Sequence, residues 1–183
     1  MPKLKWLGVI VVVAVALLTG AFWWMGPAVT QPIEYPHKTH VEQLKLPCTG
    51  CHQRAEKDNV AGRPPTALCL ACHAGGETKS EEVKKIRAFG EKSQEIPWKR
   101  VWRLPAYVFF PHRIHVAVAK VKCQTCHGPM ETLTRPPARP LKTLAMNNCI
   151  GCHEKSEYAN GEGAGVVKTG SRHVSTDCTT CHH

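Results

Sequence analysis

The sequence has few acidic residues. It contains 14 Asp and Glu against 24 Lys and Arg, so its formal net charge is +10. Taken alone, this balance favours an acidic partner such as nucleic acid or anionic lipid. The mean hydropathy of −0.25 excludes a protein that crosses a membrane many times. A hydrophobic share of 43% with 21% charged residues excludes a wholly disordered chain. Fourteen Gly and fourteen Pro disfavour a fold dominated by long regular helices or strands.

No cysteine stands outside a CxxC pair, and His follows every pair at once. This is the attachment motif of c-type haem. Two thiols add to the two vinyl groups at one edge of the porphyrin, and the adjacent imidazole then binds the iron as proximal ligand. The sequence therefore predicts five covalently bound haem c groups. The five units are Cys48, Cys51 and His52; Cys69, Cys72 and His73; Cys123, Cys126 and His127; Cys149, Cys152 and His153; and Cys178, Cys181 and His182.

Zinc and disulfide chemistry are the alternatives for paired cysteines. The gap from Cys51 to Cys69 lies within the range of a four-cysteine zinc site. Five pairs cannot be divided into four-cysteine sites without a remainder, however, and zinc does not require His after each pair. A thioredoxin-like redox role also leaves that His unexplained. Haem c is therefore the favoured interpretation.

Six histidines remain as candidate distal ligands for five irons, and four of them lie in a repeat. Residues 35–40 and 110–115 both read aromatic-Pro-His-x-x-His and precede a CxxCH motif by the same distance, which indicates an internal duplication. The proline suits the first position of a helix, so each turn is predicted to form a short helix. Its two histidines then project from nearby faces and reach different haems. Bis-His irons have no open position, so they pass electrons rather than bind a substrate. The four ligands are His37, His40, His112 and His115.

The fifth distal ligand has two candidates. His173 lies shortly before Cys178 and is preferred, because imidazole is the commoner partner in such chains. Met146 lies shortly before Cys149, and a thioether ligand would raise the potential of its haem. His183 ends the chain and is interpreted as a frayed terminal residue.

The N-terminus predicts a transmembrane anchor. Residues 6–26 carry no charge, and as a helix they span roughly 31 Å, close to the thickness of a bilayer. Lys3 and Lys5 precede this segment, so we expect the N-terminus inside and the rest of the chain exported. The alternative is a cleaved signal peptide, but bulky Phe22, Trp23 and Trp24 stand where a cleavage site needs small residues. In both cases the haem domain is exported.

The pattern predicts an anchor and linker at residues 1–34, a module with haems 1 and 2 plus a connector at 35–109, and a module with haems 3 to 5 at 110–183. Thr78 and Glu81 predict a capping box for a short helix that ends near Phe89. Residues 96–111 mix aromatic and basic side chains in an extended run, which is either a strap over haems or a docking strip. Only about 31 residues of chain serve each haem, so we expect short α-helices and loops wrapped around haems, with little sheet.

The two aromatic-Pro-His-x-x-His turns, each ahead of a CxxCH motif, resemble those of the class III cytochromes c, the cytochrome c3 and c7 group. This resemblance implies that the first His of a turn ligates the next haem in sequence and the second His a different haem. Carried over, His37 pairs with His52 and His40 with His73. In the second turn, His112 pairs with His127 and His115 with His153.

One anchor followed by two such modules is similar to the membrane-anchored pentahaem subunit of alternative complex III, as are residues 102–112 and 126–129. The resemblance implies a single-pass inner-membrane protein with its haem domain on the periplasmic side. It also implies electron transfer from quinol oxidation, through iron–sulfur and quinol-binding membrane subunits, to a cytochrome c or an oxidase. The alternative is a self-contained, membrane-anchored multihaem quinol dehydrogenase. Five haems lower the net charge to between about +5 and zero, so we expect no nucleic-acid partner.

Overall fold

The computed structural model describes residues 2–25, 28–155, 157–158 and 172–182, with the backbone alone at residues 2–5, 7, 18, 21–25, 157–158 and 172–173. Its elements are short helices joined by loops, with one antiparallel pair of two-residue strands, so the prediction of short helices and little sheet is confirmed for these ranges. The α-helices are α1 Pro2–Met25, α2 Cys48–Cys51, α3 Thr66–His73, α4 Glu81–Glu91, α5 Cys123–His127, α6 Met146–Lys155 and α7 Cys178–Cys181. The strands are β1 Glu157–Tyr158 and β2 Arg172–His173.

The N-terminal helix α1 differs from the remaining helices in the exposure of its apolar side chains. Its described apolar side chains are exposed; Trp6 is 68% and Leu17 69% accessible. Within the part of the chain that the structure describes, no helix is both long and apolar enough to cross a bilayer. The predicted transmembrane anchor is thus without structural support and stays a prediction.

The polypeptide contributes a small core of its own. Ile33, Ile86 and Ile96 form a buried cluster, and Leu70 and Trp98 are among the side chains that pack against it. Few other apolar side chains are buried in the described residues. A chain of this length normally buries far more apolar surface than this. The interior therefore has room for groups other than side chains.

Helix α4 begins later than the sequence predicted. Its N-cap is Ser80, whose hydroxyl accepts a hydrogen bond from Val83 N at 3.4 Å. Thr78 was the predicted cap, but its hydroxyl accepts from Ser80 N at 3.1 Å instead. Because an N-cap bonds the N–H of N2 or N3, a cap at Ser80 places Glu81 at the first helical position. The predicted capping box is wrong, while the acidic first turn is confirmed.

Arg87 of α4 holds the segment that follows α3. Its guanidinium donates to the carbonyl oxygens of His73 at 2.6 Å, Gly75 at 2.6 Å and Gly76 at 2.9 Å. The last carbonyls of a helix lack partners within it, so a cation at this end satisfies them and complements the helix dipole. The contact fixes the end of α3, which carries the second CxxCH motif, against α4.

The two histidine turns, defined as residues 35–40 and 110–115, lead into π-helical rather than α-helical segments. These are Lys38–Gln43 and Ile114–Val118. Both continue into a lysine with positive φ, at 59° for Lys45 and 52° for Lys120. Single π-turns are rare and are frequent at functional sites. The sequence predicted short α-helices here. Because a π-turn contains more residues than an α-turn, two histidines three positions apart are separated by a wider angle around the axis.

Backbone hydrogen bonds cross between the two halves of the chain. His112 N donates to Asn59 O at 3.1 Å, and Phe109 N to Cys181 O at 2.8 Å. The linker also joins the second half, since Val29 N donates to Ala138 O at 2.7 Å. The second histidine turn is thereby held against the loop that follows the first CxxCH motif.

Candidate haem-binding site

Each CxxCH motif lies on a helical turn. In α2, His52 N donates to Cys48 O at 2.9 Å, and in α7, His182 N donates to Cys178 O at 2.9 Å. Residues i and i+3 of a helix lie on the same face, with about 5–6 Å between their Cβ atoms. The two thiols of each motif therefore face one side together, as attachment to two vinyl groups along one porphyrin edge requires.

An aromatic ring fixes both histidines of the first turn. The Tyr35 ring stacks on His40 with centroids 4.4 Å apart and an interplanar angle of 26°, and it meets His37 edge-on at 4.9 Å and 88°. The two imidazoles are thus held at a steep angle to each other. Different orientations of this kind let one turn serve two separate irons.

The second turn repeats this arrangement. The Phe110 ring stacks on His115 at 4.2 Å and 27° and meets His112 edge-on at 5.0 Å and 90°. The internal duplication inferred from sequence is therefore visible in side-chain geometry as well as in the π-turns.

Backbone carbonyls set the tautomer of five candidate ligands. A carbonyl oxygen only accepts hydrogen bonds, so a histidine Nδ1 beside it carries the proton and leaves the Nε2 lone pair available for a metal. No sequence signal could predict these partners, because any residue supplies a carbonyl. The Nδ1–O distances are 3.0 Å from His40 to Pro36, 3.1 Å from His52 to Gly62, 2.9 Å from His112 to Asn59, 3.0 Å from His115 to Pro111, and 2.9 Å from His153 to Ser175.

Three imidazole pairs have the separation that two axial ligands need. The ring centroids are 6.1 Å apart for His40 and His73, 6.4 Å for His112 and His127, and 6.2 Å for His115 and His153. A metal–nitrogen bond of about 2 Å on each side, with the nitrogen about 1.1 Å from its ring centre, predicts centroids about 6.3 Å apart. The chain thus fits haem held between two histidines.

The fourth pair implied by the resemblance is also close in space. Burial, with smaller contributions from His52 and His40, lowers the pKa of His37 to about 4. Burial also lowers the pKa of His115 and His127. These imidazoles are consequently neutral at neutral pH, which is the form that binds a metal. The Nδ1 of His37 is buried and has no hydrogen-bond partner among the described residues.

The thiols place the five motifs in a spatial order. Burial raises the pKa of Cys69, Cys123, Cys126 and Cys149, and for each of these thiols the largest further contribution comes from a cysteine of another motif. The nearby thiol of Cys51 raises the pKa of Cys69, and Cys48 raises the pKa of Cys123 through charge and a hydrogen bond. Both cysteines of the fourth motif raise the pKa of Cys126, and Cys181 of the fifth motif raises the pKa of Cys149. Neighbouring motifs therefore follow the order second, first, third, fourth, fifth.

Neither alternative for the cysteines is built in the structure. The described ranges include all ten cysteines, and no disulfide joins any of them. Among the same residues, no three His, Cys, Asp or Glu side chains converge to form a metal-binding cluster, which is the arrangement that a four-cysteine zinc site needs.

The structure describes only some of the candidate ligands of the fifth haem. The proximal candidate His182 stacks against Tyr107 at 5.7 Å and 27°, and it pairs with Val108 in an isolated bridge. Met146 begins α6 and is 61% exposed. The backbone of His173 lies in β2, but its side chain is outside the described residues, as is all of His183. Both candidates for the distal ligand therefore stay open.

One contact of the aromatic run, and one glycine near it, were not predicted from the sequence. The Trp102 ring meets His127 edge-on at 4.8 Å, and Gly128, with a φ of 77°, turns the chain directly after that histidine. Because Trp98 and Trp102 are half-buried, this part of the run acts as a strap. The rings of Tyr107 and Phe109 are exposed, so this part of the run does not pack as a strap.

Residues 108–183 match the family model described as cytochrome c7 and related cytochrome c. That span contains the second histidine turn and three of the CxxCH motifs. The chain is also similar to the multihaem cytochrome c subunit of a menaquinone reductase from Nitratidesulfovibrio vulgaris, with 28% identity over 191 residues that cover 92% of this chain and 85% of the relative. The motifs and both similarities support a multihaem c-type cytochrome, whose cofactor is covalently bound haem c and whose role is electron transport.

Proposed function

We propose that this chain binds five haem c groups and transfers electrons along them. The observation that carries the proposal is the set of three histidine pairs with centroids 6.1 to 6.4 Å apart. The cysteines of the five motifs attach the haems, and the proximal ligands are His52, His73, His127, His153 and His182. The distal ligands are His37, His40, His112, His115 and His173, with Met146 as the alternative to His173.

Haem supplies reversible one-electron chemistry when bound. The protein's part would be to hold two side-chain ligands on each iron, so that no position is open to a substrate, and to keep the haems close together. The order of the motifs makes the second and the fifth the two ends of the path. Electrons accordingly enter near one of these ends and leave near the other.

The mass of the mature chain tests the number of haems. We expect five additions of about 0.6 kDa each, together with a reduced-minus-oxidised spectrum of low-spin haem and little high-spin iron. Fewer than five additions, or a large high-spin fraction, would contradict the proposal.

A more specific part of the proposal concerns the complex with which the chain assembles. The relative in N. vulgaris is named as a subunit of a menaquinone reductase, which supports a quinone-linked membrane complex as the partner here. Within that class we propose an alternative complex III type of function, in which iron–sulfur and quinol-binding subunits deliver electrons from quinol oxidation and a cytochrome c or an oxidase accepts them.

Electron flow in the opposite direction, into menaquinone, is the second candidate, and the relative's name favours it. A stopped-flow experiment on the purified complex distinguishes the two. Rapid haem reduction by a quinol, followed by reoxidation by cytochrome c, supports quinol oxidation. Quinone reduction by pre-reduced haems, with no haem reduction by a quinol, supports the reverse. Quinol oxidation by the isolated chain would instead indicate a self-contained quinol dehydrogenase.

We also propose that residues 1–34 anchor the chain to the inner membrane, with the haem domain on the periplasmic side. The charge-free run at residues 6–26 and the exposed apolar side chains of α1 support this. Extraction of membranes with alkaline carbonate should leave the protein in the pellet, and the mass should include the N-terminal segment. Release into the supernatant with the segment removed would indicate a cleaved signal peptide.

A further inference from the structure

A cavity of about 560 Å³ lies where the linker after α1 meets the aromatic run. Residues 28–30 form one wall and residues 98–100 another. Four cationic side chains line it, and no carboxylate does. These are Arg63, Lys99, Arg100 and Arg103.

Among the residues that the structure describes, no carboxylate forms an ion pair with any of these four cations. The ion pairs of the described chain lie elsewhere, at Arg54–Asp58, Lys84–Glu81, Lys85–Glu82 and Arg135–Glu34. Like charges around one cavity repel each other and raise the local positive potential. An anion in the cavity would relieve that repulsion, so the arrangement favours a negatively charged ligand.

Hydrogen bonds hold the walls in place. The Gln31 side chain bonds the backbone of Lys99 twice, donating from Nε2 to the carbonyl oxygen at 2.7 Å and accepting from the amide at 2.9 Å. The Arg63 guanidinium donates to the carbonyl oxygen of Trp98. A guanidinium has five N–H donors, so Arg63 keeps most of its donors for a ligand while its position is fixed.

The cationic side chains of the aromatic run are more exposed than its tryptophans. In the run from Trp98 to Arg103, Trp98 and Trp102 are half-buried, and Trp102 contacts His127. Lys99, Arg100 and Arg103 are exposed. Because the inward and outward residues separate in this way, an anion from the solvent or membrane side fits the cavity better than a haem propionate does.

The cavity also lies close to the end of α1. Met25 and Ala28 are three positions apart in the chain, so the backbone between them can span at most about 11 Å. The headgroup layer on one side of a bilayer is about 6 Å thick. If α1 crosses the membrane, as proposed above, the cavity is within reach of the headgroups, and Trp98 at its rim is a residue type that is common at this interface.

We propose that this cavity binds the phosphate group of an anionic phospholipid through Arg63, Lys99, Arg100 and Arg103. The proposal rests on the membrane anchorage of residues 1–34. A bound headgroup would fix the orientation of the haem domain relative to the membrane, since the linker and the aromatic run meet at this point.

The test uses the full chain with its haems, purified in detergent and examined by native mass spectrometry. Phosphatidylglycerol and phosphatidylcholine are added in separate arms, and inorganic phosphate in a third. The double variant Arg100→Gln/Arg103→Gln removes two cations from the cavity, and Lys57→Gln/Lys92→Gln removes two exposed cations elsewhere. We expect wild type and the control to retain phosphatidylglycerol in preference to phosphatidylcholine, and the cavity variant to bind it about 30-fold more weakly.

Three results would overturn the lipid assignment. Equal retention of phosphatidylglycerol by all variants would show that the cavity does not bind it. Inorganic phosphate bound as tightly as the lipid would indicate a site for a soluble oxyanion. A changed haem potential in the cavity variant, with lipid retention intact, would indicate a haem propionate. Carbonate extraction tests the anchor separately, so a protein that leaves the membrane but retains its lipid preference would contradict the anchor alone.

Discussion

Replacement of His115 by alanine tests the ligand arrangement directly. His115 faces His153 with centroids 6.2 Å apart and an interplanar angle of 25°. Its Nδ1 bonds Pro111 O, and the Phe110 ring stacks on it. In the variant, the haem attached at the fourth motif keeps its proximal histidine and loses the distal one. One iron of five should therefore become five-coordinate, so about a fifth of the iron should become high-spin.

The cost in stability can be estimated from the same contacts. The lost hydrogen bond contributes about 0.5–1.5 kcal/mol to the free energy of unfolding, and the lost ring contact about 0.5–1.5 kcal/mol. Together they predict a loss of about 1–3 kcal/mol, with the lost iron–nitrogen bond in addition. The variant should still fold, because all five covalently attached haems and nine of the ten axial ligands remain.

Low-temperature EPR of the oxidised protein measures the high-spin fraction, and carbon monoxide binding to the reduced protein measures the open position. His115→Met is the matched control, since its thioether can ligate the iron, keep it low-spin and raise its potential. Ile114→Ala, at the neighbouring exposed position, controls for disturbance of the turn. A His115→Ala protein that stays wholly low-spin and binds no carbon monoxide would refute the assignment.

Three further predictions concern stability. Gly90→Ala should lower the free energy of unfolding by up to about 2 kcal/mol, because overlap of the new Cβ with the Leu70 side chain costs about 1–3 kcal/mol and the better helix propensity of alanine returns about 1 kcal/mol. Denaturant titration should show this loss relieved when Leu70→Ala is present in the same chain. Lys120→Gly should preserve stability or raise it by up to about 1 kcal/mol, since Lys120 has a φ of 52°. Lys92→Gly, at a φ of −87°, should lower stability instead, and the reverse order would contradict the backbone argument. The chain expressed without haem attachment should be largely unfolded by circular dichroism, and a cooperative native-like transition would contradict a haem-dependent core.

The CxxCH motifs can be recognised in the sequence because the chemistry of haem attachment is local. Two thiols and an imidazole must follow one another closely in the chain to attach and ligate one haem, so the pattern is visible without a fold. The repeated turn was visible for the same reason. The π-turns that end at Lys45 and Lys120 were not visible, because a difference of one residue in hydrogen-bond register leaves no clear mark on a short stretch. The predicted cap at Thr78 failed similarly, with Ser80 only two positions away.

The sequence by itself determined which residues can attach haem, how many attachment motifs there are and where the duplicated turns lie. The tertiary structure decided which distal histidine faces which proximal one, since these pairs join distant parts of the chain, such as His40 with His73. It also decided the order of the motifs in space, which departs from their order along the chain because the loop at Asn59 binds the second histidine turn. Covalent attachment depends on neighbours in sequence, whereas axial pairing and electron path depend on proximity in space, and packing alone sets that proximity.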